Sequence, residues 1–149
     1  VSFKPIRTFL NARLLEVDAE FEAYDAAFPN DTVGDNNFNK RFHIHYGPIA
    51  TTVDNQNTTL DVATATVTLY FRGFRDNTGN PLDEAMDIAN KYRLNCLHPK
   101  WLRSEPRIKR VVCSAISSEP LLNNDQAFKV VLTYSITMQY GLKLDQDNL

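Results

Sequence analysis

The residue types and spacing most suggestive of chemistry are His43 and His45, in the run Arg41-Phe42-His43-Ile44-His45-Tyr46. Apolar and polar residues alternate there. In a strand both imidazoles therefore fall on one face, and Phe42, Ile44 and Tyr46 on the other. Two imidazoles at that spacing can fill two positions around a metal ion. A structural or catalytic centre needs a third protein ligand and outer-sphere support. His98 stands beside Pro99, past the end of a helical pattern, and its position relative to the pair cannot be read from spacing. The pair reads as two histidines on a solvent face, and no metal site is expected.

A general acid or base requires a carboxyl at an apolar, pocket-facing position. Asp61, where a strand pattern begins, is the best candidate, and it reads as a solvated acid near a turn. Nucleophile elbows, phosphate loops and dinucleotide fingerprints are absent. Gly34, Gly47, Gly73, Gly79 and Gly141 are all isolated, so no phosphate cradle is built. No enzymatic activity and no cofactor are expected.

Lys100, Trp101, Arg103, Arg107, Lys109 and Arg110 form the one charge cluster. Basic residues interleaved with an aromatic can grip nucleic acid. Glu105 interrupts the run, however, and strand alternation from Ile108 sends Lys109 and Arg110 to opposite faces. A solvated surface or an inter-subunit salt-bridge site fits better. Trp101, Arg103, Arg107 and Arg110 are the candidate subunit-interface residues, with Trp101 a core plug or an interface anchor. Cys96, late in a helix, and Cys113, inside a strand, match no metal or redox spacing. They read as small buried hydrophobes in a reducing compartment.

The elements that position these residues follow from periodicity. Ile6, Leu10, Leu14, Val17, Phe21, Tyr24 and Phe28 recur at spacings of three and four and predict a helix from Pro5 to Ala27, stopped by Pro29. Asn30 to Lys40 is a polar loop. Arg41 to Tyr46 is a short strand interrupted by Gly47-Pro48, and Ile49 to Thr59 is a loop or hairpin tip. Leu60 to Arg75 is a long strand with Ala63, Ala65, Val67, Leu69 and Phe71 on one face. After a turn at Asp76–Gly79, Asn80 caps a second helix with Pro81 in its first turn, and Pro99 ends it. Its apolar stripe is Leu82, Ala85, Met86, Ala89, Tyr92, Cys96 and Leu97. Lys100 to Pro106 connects to a strand at Ile108–Ser117, and Glu119 to Gln126 is a turn region.

The last strand has the clearest pattern. Phe128, Val130, Leu132, Tyr134, Ile136, Met138 and Tyr140 alternate with Lys129, Val131, Thr133, Ser135, Thr137 and Gln139. Thirteen residues span about 40 Å, against a usual strand of about 5–6 residues. Such a strand outruns a small core and suggests contact with a neighbour. The fold class is α+β: a mostly antiparallel sheet built from two long hairpins, with two helices packed on one face, in the order α–β–β–α–β–β.

A chain of 149 residues reads as a single domain, 1–149, with 143–149 a flexible tail. Its size suffices for a core without disulfide or metal. A net charge of −2 argues against general attraction to nucleic acid. No apolar run is long enough to span a membrane. No signal peptide is expected, since Lys4, Arg7 and Arg13 break the first apolar positions. The initial Val reads as loss of an initiator Met.

The element order, the length, the helix Phe-Leu-Asn-Ala-Arg-Leu-Leu-Glu (9–16) and the helix beginning Asn-Pro-Leu-Asp-Glu-Ala-Met (80–86) resemble tail-terminator proteins of tailed bacteriophages. Related neck and tail-completion proteins share the layout. The resemblance spans about Phe3 to Leu142, carries no signature motif and transfers no functional residue. It implies a homo-oligomer, a hexameric ring at the head-proximal end of the tail tube. That ring stops tube polymerisation and offers the head-docking surface. The implied partners are the tail-tube protein, head–tail connector proteins and DNA, which passes through the lumen without sequence reading. The implied location is the virion tail or neck, after assembly in the host cytoplasm, with no membrane and no cofactor. The acidic first helix and the basic residues around Arg103–Arg110 would be the complementary patches of a head-to-tail ring. Two alternatives stay open: a tail-tube or connector subunit, and a small α+β enzyme or ligand-binding domain.

Overall fold

The computed structural model describes residues 3–23, 40–54, 58–72, 81–98, 100, 105, 107–121 and 124–141. Among these residues two helices and five strands follow in the order α1 (Lys4–Val17), β1 (Glu22–Ala23), β2 (Arg41–Asp54), β3 (Thr58–Arg72), α2 (Pro81–Leu97), β4 (Ile108–Leu121) and β5 (Asn124–Gly141). The fold is α+β. The strands form one mixed sheet in the order β1-β2-β3-β5-β4, antiparallel except for the β1–β2 pair.

Alternation along β3 and β5 decides which face is buried. Ala63, Ala65, Val67, Leu69 and Phe71 on β3, and Val130, Leu132, Tyr134, Ile136 and Met138 on β5, are at most 5% exposed. They join Ile6, Phe9, Leu10 and Leu14 of α1 and Ala85, Ala89, Tyr92 and Cys96 of α2 in one hydrophobic cluster. Each large side chain so buried contributes about 1.5–3 kcal/mol. Truncating Leu132 to Ala would cost about 2–5 kcal/mol through transfer and cavity terms. The side chains between them on the opposite face, from Val62 to Thr68 and from Lys129 to Gln139, are half-buried.

Sequence periodicity overshoots at the first helix, which ends at Val17 rather than Ala27. Asp18 adopts an extended backbone, and its N–H still bonds the Leu14 carbonyl at 3.0 Å. The Asp18 carboxylate then accepts the Glu20 N–H at 3.0 Å, a side-chain-to-backbone turn that competes with helix. The chain turns, and Phe21 sits edge-on to Phe42 and Phe71, with centroids 6.5 and 5.7 Å away. Next comes β1, a strand the periodicity did not predict. Lys40 locks it in place: its carbonyl accepts the Glu22 N–H at 3.1 Å and its N–H donates to Tyr70 at 3.0 Å.

Gly47-Pro48 does not end β2. The strand runs on to Asp54, with a register shift between Tyr46 and Ile49. A bulge on a strand at the sheet margin accommodates a proline that a central strand would reject. A Cβ at Gly47 would lie 3.3 Å from Thr64 Cβ, so glycine allows the close approach. Pro120 likewise lies inside β4, on the opposite margin. The expected turn at Glu119–Gln126 is therefore mostly strand. At 18 residues β5 spans about 60 Å, while the 17 residues of α2 span about 26 Å.

The expected loop at 30–39, turn at 76–79, cap at Asn80, most of the connector at 100–106 and tail at 143–149 lie outside the described residues.

Candidate functional site

Cross-strand register lays out the face opposite the core as rows. His43, Thr68, Val131 and Ser117 form one, and His45, Thr66, Thr133 and Ala115 the next. Thr64, Ser135 and Val112 form a third, then Ala50, Val62, Thr137 and Arg110. The surface is rich in hydroxyls and carries no carboxylate in these rows. His43 is half-buried and His45 exposed, both on this face and away from Phe42, Ile44 and Tyr46. Among the described residues no group of three or more His, Cys, Asp or Glu could hold a metal. His98 follows the end of α2, where its Nδ1 accepts the Lys100 N–H at 3.1 Å.

The sheet has two margins. β1 covers only Arg41 and Phe42 of β2, and β4 is the last strand on the other side. Among the described residues, neither the rest of β2 nor β4 pairs with a further strand. β4 carries register shifts between Ile108 and Arg110 and between Cys113 and Ala115. The first of these corrects the expectation for the basic run. Ile108 and Val111 are both buried, three residues apart, so the bulge leaves Lys109 and Arg110 both exposed. Arg107 precedes β4, half-buried, with its carbonyl accepting the Gln139 N–H at 2.7 Å. Trp101 and Arg103 lie outside the described residues. The Lys100 ammonium is 3.7 Å from Glu16.

The acidic end of α1 is engaged within the chain. Glu16 pairs with Arg13 at 2.6 Å and accepts the Asn95 amide at 2.9 Å. That hydrogen bond, followed by the Arg13 and Lys100 charges, holds its carboxyl below the ordinary value. Lys40 reaches Asp18 at 2.9 Å and Glu20 at 2.8 Å, and Arg41 reaches Glu22 at 3.3 Å. Hydrogen bonds to Glu20 and Asp18 raise the Lys40 ammonium above its ordinary range. Burial alone would raise Asp18, but the Lys40 hydrogen bond, the Glu20 N–H and the Lys40 charge together leave it lowered.

Asp61 is not the solvated acid its position suggested. Its residue is 1% exposed, because it shares the core face with Ala63 and lies between Thr51 and Met138. The Thr51 hydroxyl donates to one carboxylate oxygen at 2.8 Å, and the other has no hydrogen-bond partner. Strand alternation could have placed Asp61 inward. The loop reading of 49–59 hid Thr51, its partner.

Both cysteines are free thiols. Burial pushes Cys96 up to about 12 and raises Cys113, whose S–H donates to the Ala115 carbonyl at 3.4 Å. Neither is a thiolate nucleophile at neutral pH. Cys96 neighbours Tyr92 and Tyr134, whose rings meet edge-on at 5.8 Å. Burial raises both phenols.

No protein-family profile and no curated protein matches the chain. Among solved structures, a chain from "Virion of native gene transfer agent (GTA) particle" is similar to it. The two are 12% identical over 93% of this chain and 91% of that one, with a TM-score of 0.44. A superposition of that quality does not establish a shared fold. No helix among the described residues is long and apolar enough to cross a membrane.

Proposed function

We propose that the chain is a structural virion subunit, of the kind the tail-terminator resemblance implies, that assembles edge to edge into a ring. The observation that carries this reading is the sheet. Four strands of 14–18 residues bury one face and leave a hydroxyl-rich opposite face, with two unlike margins at β2 and β4. A head-to-tail ring needs two different patches per subunit. β2 and β4 run in opposite directions across the sheet, so β4 of one copy would meet β2 of the next antiparallel. Arg107, just before β4, and Arg110, within it, are the proposed contacts with the neighbouring copy, and Trp101 and Arg103 are further interface candidates from the sequence. The finer assignments come from the resemblance: a hexamer capping the tail tube, a surface for the head, and a lumen passing DNA.

Light scattering and negative-stain microscopy of the purified full chain, alone and with tail tubes, test the proposal. A ring, or a monomer that assembles only on tubes, supports it. Long tubes from the protein alone would favour the tail-tube alternative. A monomer under both conditions overturns it. Arg107→Glu with Arg110→Glu is expected to weaken ring formation, and unchanged sedimentation of the ring removes β4 from the interface.

A further inference from the structure

We propose that His43 and His45 form a two-ligand chelate for a divalent late first-row metal ion such as Zn2+ or Ni2+ on the uncovered face of the sheet. A closed metal centre, with three or four protein ligands, is not what the described residues offer. An open chelate needs only two imidazoles with a common direction. β2 supplies it, since both residues lie in its regular segment before the bulge at Tyr46/Ile49, paired with Thr68 and Thr66 of β3. Two strand steps separate their backbones by about 6.6 Å. Imidazole nitrogens sit about 2.0–2.1 Å from Zn2+, and two imidazoles on one strand face at this spacing can reach a common ion.

The surroundings suit a cation. The facing side chains on β3, Thr66 and Thr68, are neutral hydroxyls, and in the next strand Thr133 and Val131 continue the rows. The nearest cation along β2, Arg41, has its charge met by Glu22 at 3.3 Å. Lys129 lies two strands away from β2, in the Arg41–Tyr70 row, and Arg110 lies at the opposite margin. Imidazole binds Zn2+, Ni2+ and Cu2+ well, and Irving–Williams ordering favours these over Mn2+. Water would occupy the remaining positions.

Calorimetric titration of the untagged full chain with NiCl2 and ZnCl2 tests this. One ion per chain is expected, released by chelator, with MnCl2 much weaker. Loss of outer-sphere partners alone costs metal sites about 10–100-fold in affinity, so His43→Gln and His45→Gln should each weaken binding by at least about tenfold. His98→Gln should bind as the wild type does. Thr66→His places a third imidazole opposite His45, where facing Cβ atoms are about 4.5–5.5 Å apart, and should tighten binding at least about tenfold. No binding by the wild type, wild-type binding by the His43 and His45 variants, or no gain in Thr66→His overturns the proposal.

Discussion

Removing the hydroxyl from each of two touching tyrosines should give opposite results. Tyr92 and Tyr134 are both fully buried, and their rings meet edge-on at 5.8 Å. The Tyr92 hydroxyl donates to the Leu10 carbonyl at 3.0 Å, tying α2 to α1 across 82 residues of sequence. The Tyr134 hydroxyl is buried with no oxygen or nitrogen partner, and the Cys96 thiol, a weak hydrogen-bonding group, is its polar neighbour. Phenylalanine keeps both rings and their contact. In Tyr92→Phe a net hydrogen bond worth about 1 kcal/mol is lost. The Leu10 carbonyl keeps its helical partner at Leu14, so no buried acceptor is stranded. Chemical denaturation should show about 1 kcal/mol less stability at an unchanged m-value, and melting should drop by about 2–4 °C. In Tyr134→Phe only the weak contact with the Cys96 thiol is lost and the hydroxyl's desolvation cost, about 1–3 kcal/mol, is relieved, so the variant should match or exceed the wild type. Equal losses in the two single variants would refute the assignment of the hydrogen bond to Tyr92 alone.

Three further substitutions test the sheet and its corner. Thr51→Val removes the donor to the buried Asp61 carboxylate and should cost about 1.5–3 kcal/mol by urea denaturation, although Thr51 itself is exposed. Lys40 has φ of 56° and pairs with Asp18 and Glu20, so Lys40→Ala should lose about 0.2–1 kcal/mol of pairing, whereas Lys40→Gly should recover about 1 kcal/mol relative to Ala by relieving the left-handed backbone. The clamp also sets a pH window. Asp18 is lowered from 3.8, so its share is present above that value and lost as pH falls through the lower folded value. Lys40 is raised from 10.5, so its share is present below 10.5 and lost as pH rises through the higher folded value. The wild-type minus Lys40→Ala stability difference should therefore be flat between these limits and shrink outside them. Gly47→Ala should cost about 1 kcal/mol by urea denaturation, through its 3.3 Å approach to Thr64 Cβ.

Much of the strand content was legible because its signal is local. From Ala63 to Phe71 and from Val130 to Met138 every second residue is apolar, and those residues are buried. The same alternation separated His43 and His45 from Phe42, Ile44 and Tyr46 correctly. It failed where a bulge intervenes. One extra residue at Lys109 returns Val111 to the core, and no residue type there announces it. The first helix was overread because Phe21 fits a helical stripe as well as it fits the Phe42–Phe71 cluster. Spacing does not rank those two fates. Of the candidate interface residues, Arg107 and Arg110 are seen at the start of β4, but their role there rests on assembly, which one chain does not display.

By itself, then, the amino-acid order determined that long half-buried strands and two amphipathic helices make an α+β fold, because period-2 and period-3.6 patterns are fixed within a few residues. Tertiary structure decided the rest. It decided that Asp61 is buried against Thr51, that Tyr92 bonds the Leu10 carbonyl while Tyr134 meets only the Cys96 thiol, and that Lys40 holds a fifth strand on β2. It also decided that, among the described residues, β4 and the part of β2 beyond Phe42 are left at the margins. Each of these depends on which distant segments meet, and a pattern read along one strand holds no information about the strand beside it.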